Sequence, residues 1–423
     1  MRILFLHQNF PGQYVHLARW FHGRPGCEVR AITDAANERP EIIPTLRYPT
    51  PPKLETFGGP SGGRRYAEGL QRAEAAAVAA INLRNQGFRP DVILGHGAWG
   101  ETLFMKEVWP DAKVMAYAEF YYASQGRNVG FDPEFDATAP GTIRTITAHN
   151  ALMAMAVLNA DAGLAPTRYQ ADTFPPELRP KIARVFDGVD TDMITPDPAA
   201  TVTLDGMGLT LKSGEPIITF INRNLEPYRG YHIFMRALPK VLKAVPNARA
   251  ILIGGDGVSY GAPAPDGKKW KDIFLDEVKD RLDLSRVHFL GRVPHNHLMA
   301  LYKVSAAHVY LTYPFVLSWS CIEALAAGAL VIGSDTEPVR EVVSHGENGL
   351  LVPFFNVDAL SETMISALTD PQRYRPLRRT ARARARAAYD LKSVCLPAQI
   401  DLLHRFARTG DVGGFAAPRH MKA

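Results

Sequence analysis

Short apolar runs alternate with stretches of helical period along most of this chain, and that alternation predicts its architecture. In the first half, RILFLH (2–7), VRAITD (29–34), DVILGHG (91–97), KVMAYAEFYY (113–122) and AGLAPT (162–167) read as strands. Between them the pattern predicts helices over 16–22, 66–87, 100–109 and 143–160, the second rich in alanine and ended by a glycine. The strands have no polar face. Runs of that kind are buried on both sides, as in a parallel sheet covered by helices on each face.

The alternation stops over 183–216, where Pro, Gly, Asp and Thr dominate, a composition that predicts a link between domains. A second series follows, with strands at 217–222, 248–256, 287–293, 307–313, 329–335 and 349–353. Residues 357–408 read as helical and the tail after Gly410 as disordered. The expected layout is a Rossmann-like domain over 1–190, a linker over 191–214 and a second Rossmann-like domain over 215–385. A helix over 386–408 is expected to cross back to the first domain, ahead of a tail over 409–423. Two doubly wound α/β domains bind ligands at the carboxyl ends of their strands. The loops at 8–14, 95–100, 118–130, 223–230, 256–269, 292–297, 314–320 and 335–341 are therefore expected to line one cleft between the domains.

Composition narrows the class. The chain has 423 residues, too many for one core, with 46% hydrophobic and 22% charged residues, as in soluble globular proteins. No apolar run reaches the length of a membrane span. The start, MRILFLHQNF, lacks the long apolar stretch of a signal peptide and reads as a first strand. Cys27, Cys321 and Cys395 are odd in number and lack metal-site spacing, which favours reduced thiols and a cytoplasmic location. The net charge is +5, part of it in RRTARARARAAYD (378–390). That run is either a solvated helix face, the reading its pattern favours, or a patch for an acidic ligand or anionic membrane surface. It has no interleaved aromatics, and no nucleic-acid-binding signature accompanies it.

The candidate chemistry concentrates in FVLSWSCIEALAAGALVIGSD (315–335). The turn Ser318, Trp319, Ser320 leads into a helix of small residues and should present backbone N–H groups to an anion at the helix N-terminus. Glu323 adds a carboxylate in the first turn, although Ser320 and Glu323 also have the spacing of a capping box. Arg223 and Arg229 follow the strand at 217–222, where two guanidinium groups would suit a diphosphate, unless they are ordinary surface arginines.

Five blocks in order carry a resemblance: FDGVDTDMITPDP (186–198), INRNLEPYRGYHIFMRAL (221–238), ILIGGDG (251–257), FLGRVPHNHLMALYKVSAAHVYLT (289–312) and CIEALAAGALVIGSDTEPVREVVSHGENGLLVP (321–353). Over about 183–365 the chain resembles the family 4 glycosyltransferases, retaining enzymes of the GT-B architecture. HQNFPGQY and GHGAWGE carry a weaker likeness in the first half. The resemblance implies two Rossmann-like domains facing across a cleft, a UDP- or GDP-linked sugar donor, no cofactor and no metal. It implies a glycan, lipid-linked or protein acceptor and no nucleic acid, with peripheral membrane contact left open. Glu323 matches the glutamate that holds the ribose hydroxyls, and Arg229 stands in for the family's usual lysine. Gly12, Ser318, Trp319, Ser320, Arg292 and Gly255 are expected to bind the donor; Glu119 lies near where the family often carries a histidine facing the donor, and His96 ends the preceding strand.

One departure stands out. The family has a second glutamate eight residues before the first, and here that position is Phe315. Glu337 and Glu341 are candidate replacements. Asp190-Thr191-Asp192 looks like a metal motif but falls in the linker block and reads as a turn; His295 and His297 lack a third ligand. The expected activity is retaining transfer of a sugar to an acceptor hydroxyl, with Arg223, Arg229, His96 and Glu119 as catalytic candidates. The alternatives are a nucleotide-sugar-binding protein with little activity, or another GT-B enzyme such as an epimerase.

Overall fold

Strands β1 (Arg2–Leu6), β2 (Glu28–Asp34), β3 (Thr45–Tyr48), β4 (Val92–His96), β5 (Lys113–Tyr117), β6 (Ala162–Ala165) and β7 (Ile182–Arg184) form one sheet in the computed structural model, which describes residues 1–54, 63–135 and 140–416. The order is β3-β2-β1-β4-β5-β6-β7 and every pairing is parallel. Leu4 and Leu6 point to one face, packed on alanines of the helix Gly63–Asn85, and Ile3 and Phe5 point to the other. This two-sided burial explains the unbroken apolar runs. The strand order reverses between β1 and β4, which places a crevice at their carboxyl ends.

A short antiparallel hairpin follows, β8 (Thr201–Leu204) with β9 (Leu209–Lys212). Then come β10 (Ile217–Asn224), β11 (Arg249–Gly255), β12 (Val287–Phe289), β13 (Ala307–Tyr310), β14 (Val331–Ser334) and β15 (Leu350–Val352). They form a second parallel sheet in the order β12-β11-β10-β13-β14-β15, reversing between β10 and β13. The described residues divide into two compact units, Met1–Gly188 with 392–416, and Val189–Leu391. Both are parallel-sheet α/β units.

Several segments depart from the pattern. The strand expected over 113–122 ends at Tyr117, because its partner β6 stops at Ala165, so Glu119 lies in the following loop. The helix expected over 100–109 is reduced to Met105–Val108. Gly100 has φ +108 and sits so close to the helix Gly63–Asn85 that a Cβ would lie 2.1 Å from the Gly69 carbonyl oxygen. Strands β3, β7 and the β8–β9 hairpin fall in segments read as loop or link; they are short, and much of β3 and the hairpin is partly exposed. The tail is ordered further than expected. Val412 is buried, and the Arg184 N–H donates to the Phe415 carbonyl at 2.9 Å; residues 417–423 lie outside the described residues.

The helix Leu396–Thr409 lies on the β1/β4 face of the first sheet, with Leu402, Leu403 and Phe406 at most 1% exposed. Gln399 fixes its start by donating to the Phe186 carbonyl at 3.0 Å. Phe406→Ala should therefore cost about 3–5 kcal/mol of stability, whereas Arg408→Ala on the same helix should cost under about 0.5 kcal/mol. Denaturant unfolding measures both, and equal effects would show that the helix does not belong to this core.

Candidate functional site

The chain leaves β10 at the reversal point of the second sheet and turns through Pro227–Arg229 into the helix Tyr231–Ala244. Gly230 makes the turn possible. Its φ is +69, and a Cβ there would lie 2.4 Å from the Leu311 side chain. Arg229 is thereby directed inward and is 4% exposed. Its Nη1 donates to Thr312 Oγ1 at 2.8 Å, to the Val316 carbonyl at 3.1 Å and to Tyr310 Oη at 3.4 Å. Two rings flank the guanidinium, Tyr260 at 5.0 Å and Phe315 at 5.7 Å. Burial pushes the Tyr310 hydroxyl up to about 12 despite the nearby Arg229 charge, so it stays neutral.

Glu226 holds this wall together. It is fully buried, and its carboxylate accepts from the backbone N–H groups of Ser259 at 3.0 Å, Tyr260 at 3.3 Å and Gly261 at 3.2 Å. Those bonds tie the loop after β11 to the loop after β10 and seat Tyr260 against Arg229. Phe315 is 2% exposed, edge-on to Tyr228 at 5.1 Å and 4.9 Å from Tyr260. Glu226, Tyr260 and Thr312 were not singled out from sequence. A lone acid in NLEPYRG carries no signal until the loop it binds is in place.

The helix Trp319–Ala326 differs from expectation at its start. Its N-cap is Ser318, not Ser320: Ser318 Oγ accepts from the Ser320 N–H at 3.4 Å. The Ser318 N–H donates to Tyr310 Oη at 2.8 Å and the Cys321 N–H to the Ser318 carbonyl at 3.2 Å. The N–H groups of Ser318, Ser320 and Cys321 are thus engaged within the turn rather than presented to a ligand. Glu323 closes no capping box. It is 6% exposed and pairs with His295 Nε2 at 2.8 Å. His295 begins the helix His295–Val304, and its side chain is 61% exposed; the hydrogen bond to Glu323 raises its pKa, opposed by partial desolvation.

Arg292 and Gly255 come together with Asn224. Arg292 donates to Asn224 Oδ1 at 3.2 Å, and a Cβ on Gly255 would lie 2.6 Å from that oxygen. Arg223, at the end of β10, is exposed and has no hydrogen bond or ion pair among the described residues. Glu337 is exposed at the start of the short helix after β14, and Glu341 follows that helix. Asp190 closes a turn by accepting from the N–H groups of Asp192 at 3.1 Å and Met193 at 3.2 Å.

The first unit assembles a second cluster at its own reversal point. His7 follows β1 and His96 ends β4, with ring centroids 5.5 Å apart. Each Nδ1 accepts a backbone N–H two residues ahead, from Asn9 at 2.8 Å and from Ala98 at 3.2 Å. Each bond is one that an Nδ1 without a proton makes. Burial, with His96 and Arg39 nearby, holds the His7 pKa well below the usual range. Glu119, with 41% of its side chain exposed, places Oε2 3.6 Å from His96 Nε2. Gly12, at φ +50, lets the loop after β1 pass so close that a Cβ would meet His7 Nε2 at 2.9 Å. His96, Glu119 and Gly12 are thus brought together. His7, passed over as the end of a strand, is the member that sequence reasoning missed; its position after β1 mirrors that of His96 after β4.

Comparison with known proteins bears on the family and the fold. Residues 25–194 match the glycosyl transferase family 4 group, and residues 208–386 match glycosyl transferases group 1. The chain is 29% identical over 213 residues to the D-inositol 3-phosphate glycosyltransferase of Nocardia farcinica, covering 50% of this chain and 44% of that one. It is 28% identical over 165 residues to the phosphatidyl-myo-inositol mannosyltransferase of Mycolicibacterium smegmatis, covering 37% and 36%. These matches span less than half the length of either relative. Among solved structures, the sucrose-phosphate synthase of Thermosynechococcus elongatus superposes with TM-score 0.70 at 18% identity, over 96% of this chain and 98% of that one. The Anabaena protein HepE in complex with UDP-glucose superposes with TM-score 0.63 at 16% identity, over 96% and 99%. With two consecutive domain matches over two doubly wound units, the chain belongs to the family 4 glycosyltransferases of the GT-B fold.

Proposed function

We propose that this chain transfers a hexose from a UDP- or GDP-linked donor to an acceptor hydroxyl, with retention at the anomeric carbon and without a metal ion. The observation that carries the reading is the Glu323 carboxylate, 6% exposed yet paired with a His295 whose side chain is 61% exposed. A buried carboxylate with a displaceable partner can exchange that partner for two ribose hydroxyls. The exposed guanidinium groups of Arg223 and Arg292 would bind the diphosphate, and the fixed charge of Arg229 would stabilise the negative charge that builds on it. The bond between the anomeric carbon and the phosphate oxygen breaks, and the acceptor oxygen bonds to that carbon. The acceptor proton passes to a phosphate oxygen of the leaving group, a base that the reaction itself supplies. These cations would take the part a metal plays elsewhere, so no cofactor is needed.

The acceptor, a glycan or a lipid-linked or protein hydroxyl, would bind the first unit at His7, His96 and Glu119. The Nε2–H of His96 and the half-exposed Glu119 carboxylate can donate to and accept from sugar hydroxyls. The free cysteines Cys27, Cys321 and Cys395 support a reducing, cytoplasmic setting. No helix among the described residues is long and apolar enough to cross a membrane. Phe315 favours a second reading, a nucleotide-sugar-binding protein with little turnover, because an aromatic wall stands where the family has a carboxylate. Sugar release from labelled donor, with and without a screen of acceptors, separates the two.

Glu323→Gln should weaken binding of the nucleoside diphosphate donor by about 10- to 100-fold in titration calorimetry, the loss expected for a hydrogen bond to a charged group. Unchanged affinity would remove Glu323 from the site. Turnover should be the same with and without a chelator, and a strict requirement for a divalent cation would overturn the metal-free reading. The His295–Glu323 pair also has a pH signature. The folded pKa of His295 is raised above 6.5, so the pair stabilises fully below pH 6.5 and its contribution is lost as pH rises through the raised value. Tm of the wild type should fall relative to His295→Gln across that interval. Parallel curves would show that the pair is not formed in solution.

A further inference from the structure

The helix Arg375–Tyr389 carries Arg375, Arg378, Arg379, Arg382 and Arg386 at spacings that share one face. With Lys303 they line a groove of about 690 Å³ in the second unit, whose opposite wall includes Asp197 and Gly328. Two of the arginines are fixed to its walls. Arg382 donates to the carbonyls of Ala326 at 2.8 Å and Thr191 at 2.7 Å, and also to that of Ile194; Arg378 donates to the Ala306 carbonyl. The other four cations, Arg375, Arg379, Arg386 and Lys303, have no side-chain hydrogen bond or ion pair among the described residues.

Six cations thus face one lining carboxylate, Asp197, whose Oδ1 already accepts from the Ala199 N–H at 2.9 Å. A helix face built only for solvation would carry acids at i+4 along its length to relieve such repulsion; RPLRRTARARARAAY contains none, and the acids that act on its Arg382 are Asp390 at the C-cap, four residues after Arg386, and Asp192. Arg384, on another face, does have an acid partner in Glu347. Arg378 Nε is buried without a hydrogen-bond partner, and burial together with the Arg375 charge holds the Arg378 pKa down. An anion in the groove would relieve both the repulsion and the unmet donor. The groove is concave and of the size that takes small molecules. Its lining includes Ala327 and Gly328, just past the carboxyl end of the helix Trp319–Ala326, and includes none of Arg223, Arg229, Arg292 or Glu323.

We propose that this groove is a second anion site, separate from the donor site, that takes a ligand bearing a phosphate group. Arginine pairs bind phosphate oxygens bidentately, and Arg375, Arg379 and Arg386 supply the forks. The test uses the full chain with glucose 6-phosphate and inorganic phosphate as soluble probes, and phosphatidylglycerol vesicles as the lipid source of the same chemistry. Calorimetry reads the soluble probes and co-sedimentation reads the vesicles. Arg379→Glu/Arg386→Glu should weaken binding about tenfold or more. Arg379→Gln/Arg386→Gln provides the same test should charge reversal impair folding. Uridine diphosphate affinity should be the same in all three proteins, since neither arginine belongs to the donor site. Soluble-probe binding lost in the variants assigns a free phosphate compound, and vesicle binding alone, lost in the variants, assigns a lipid headgroup. Binding of neither source, or equal binding by wild type and variants, overturns the proposal.

Discussion

The second unit is organised around the cost of burying one guanidinium. Arg229 is almost wholly removed from water, and an unpaired charge in that position would be prohibitive. The fold meets the cost with three hydrogen bonds from Nη1, two aromatic faces, and a separate buried acid, Glu226, that holds the loop bearing one of those faces. Losing one partner of such a network is typically worth about 3–5 kcal/mol, far more than an exposed pair. The loops after β10, β11 and β13 are therefore fixed relative to one another before any ligand arrives. The Ser318 turn is drawn into the same arrangement, because the Tyr310 hydroxyl accepts from both Arg229 and the Ser318 N–H.

That constraint changes the meaning of Phe315. Seen as a substitution for a family glutamate, it looks like a loss. In the structure it is one side of the cage around Arg229, packed against Tyr228 and Tyr260. A carboxylate in that position would pair with the guanidinium directly, whereas the ring adds no second acid beside Glu226, whose charge already acts on Arg229. In the proposed reaction a fixed cation of this kind is what a departing diphosphate needs. The two exposed arginines, Arg223 near the end of β10 and Arg292 after β12, lie toward the carboxyl ends of strands of the same sheet, with β11 between those strands.

Most of the scaffold was legible in the sequence because it depends on burial alone. Runs such as RILFLH and DVILGHG must be covered on both faces, and the strand order then places the crevices. Gly12, Glu119 and Arg292 fall in loops that the strand pattern places, but which side chains meet there was not legible. What stayed hidden depends on geometry that a pattern does not encode. Ser318 rather than Ser320 caps its helix because of the backbone angles at the turn. Glu226 gains its role from backbone N–H groups that lie 33 to 35 residues later. The tail beyond Gly410 looked unstructured because two apolar residues, Val412 and Phe415, are too few to show a period, yet both pack on the first core.

The central claim is that Glu323 and the exposed arginines form a donor site built around a caged Arg229. A crystal structure of the full chain with a nucleoside diphosphate bound tests it most directly. The account predicts both ribose hydroxyls within hydrogen-bond distance of Glu323, His295 displaced from that carboxylate, and the diphosphate held by Arg223 and Arg292. A nucleotide bound elsewhere, or one that leaves the His295–Glu323 bond intact, would contradict it.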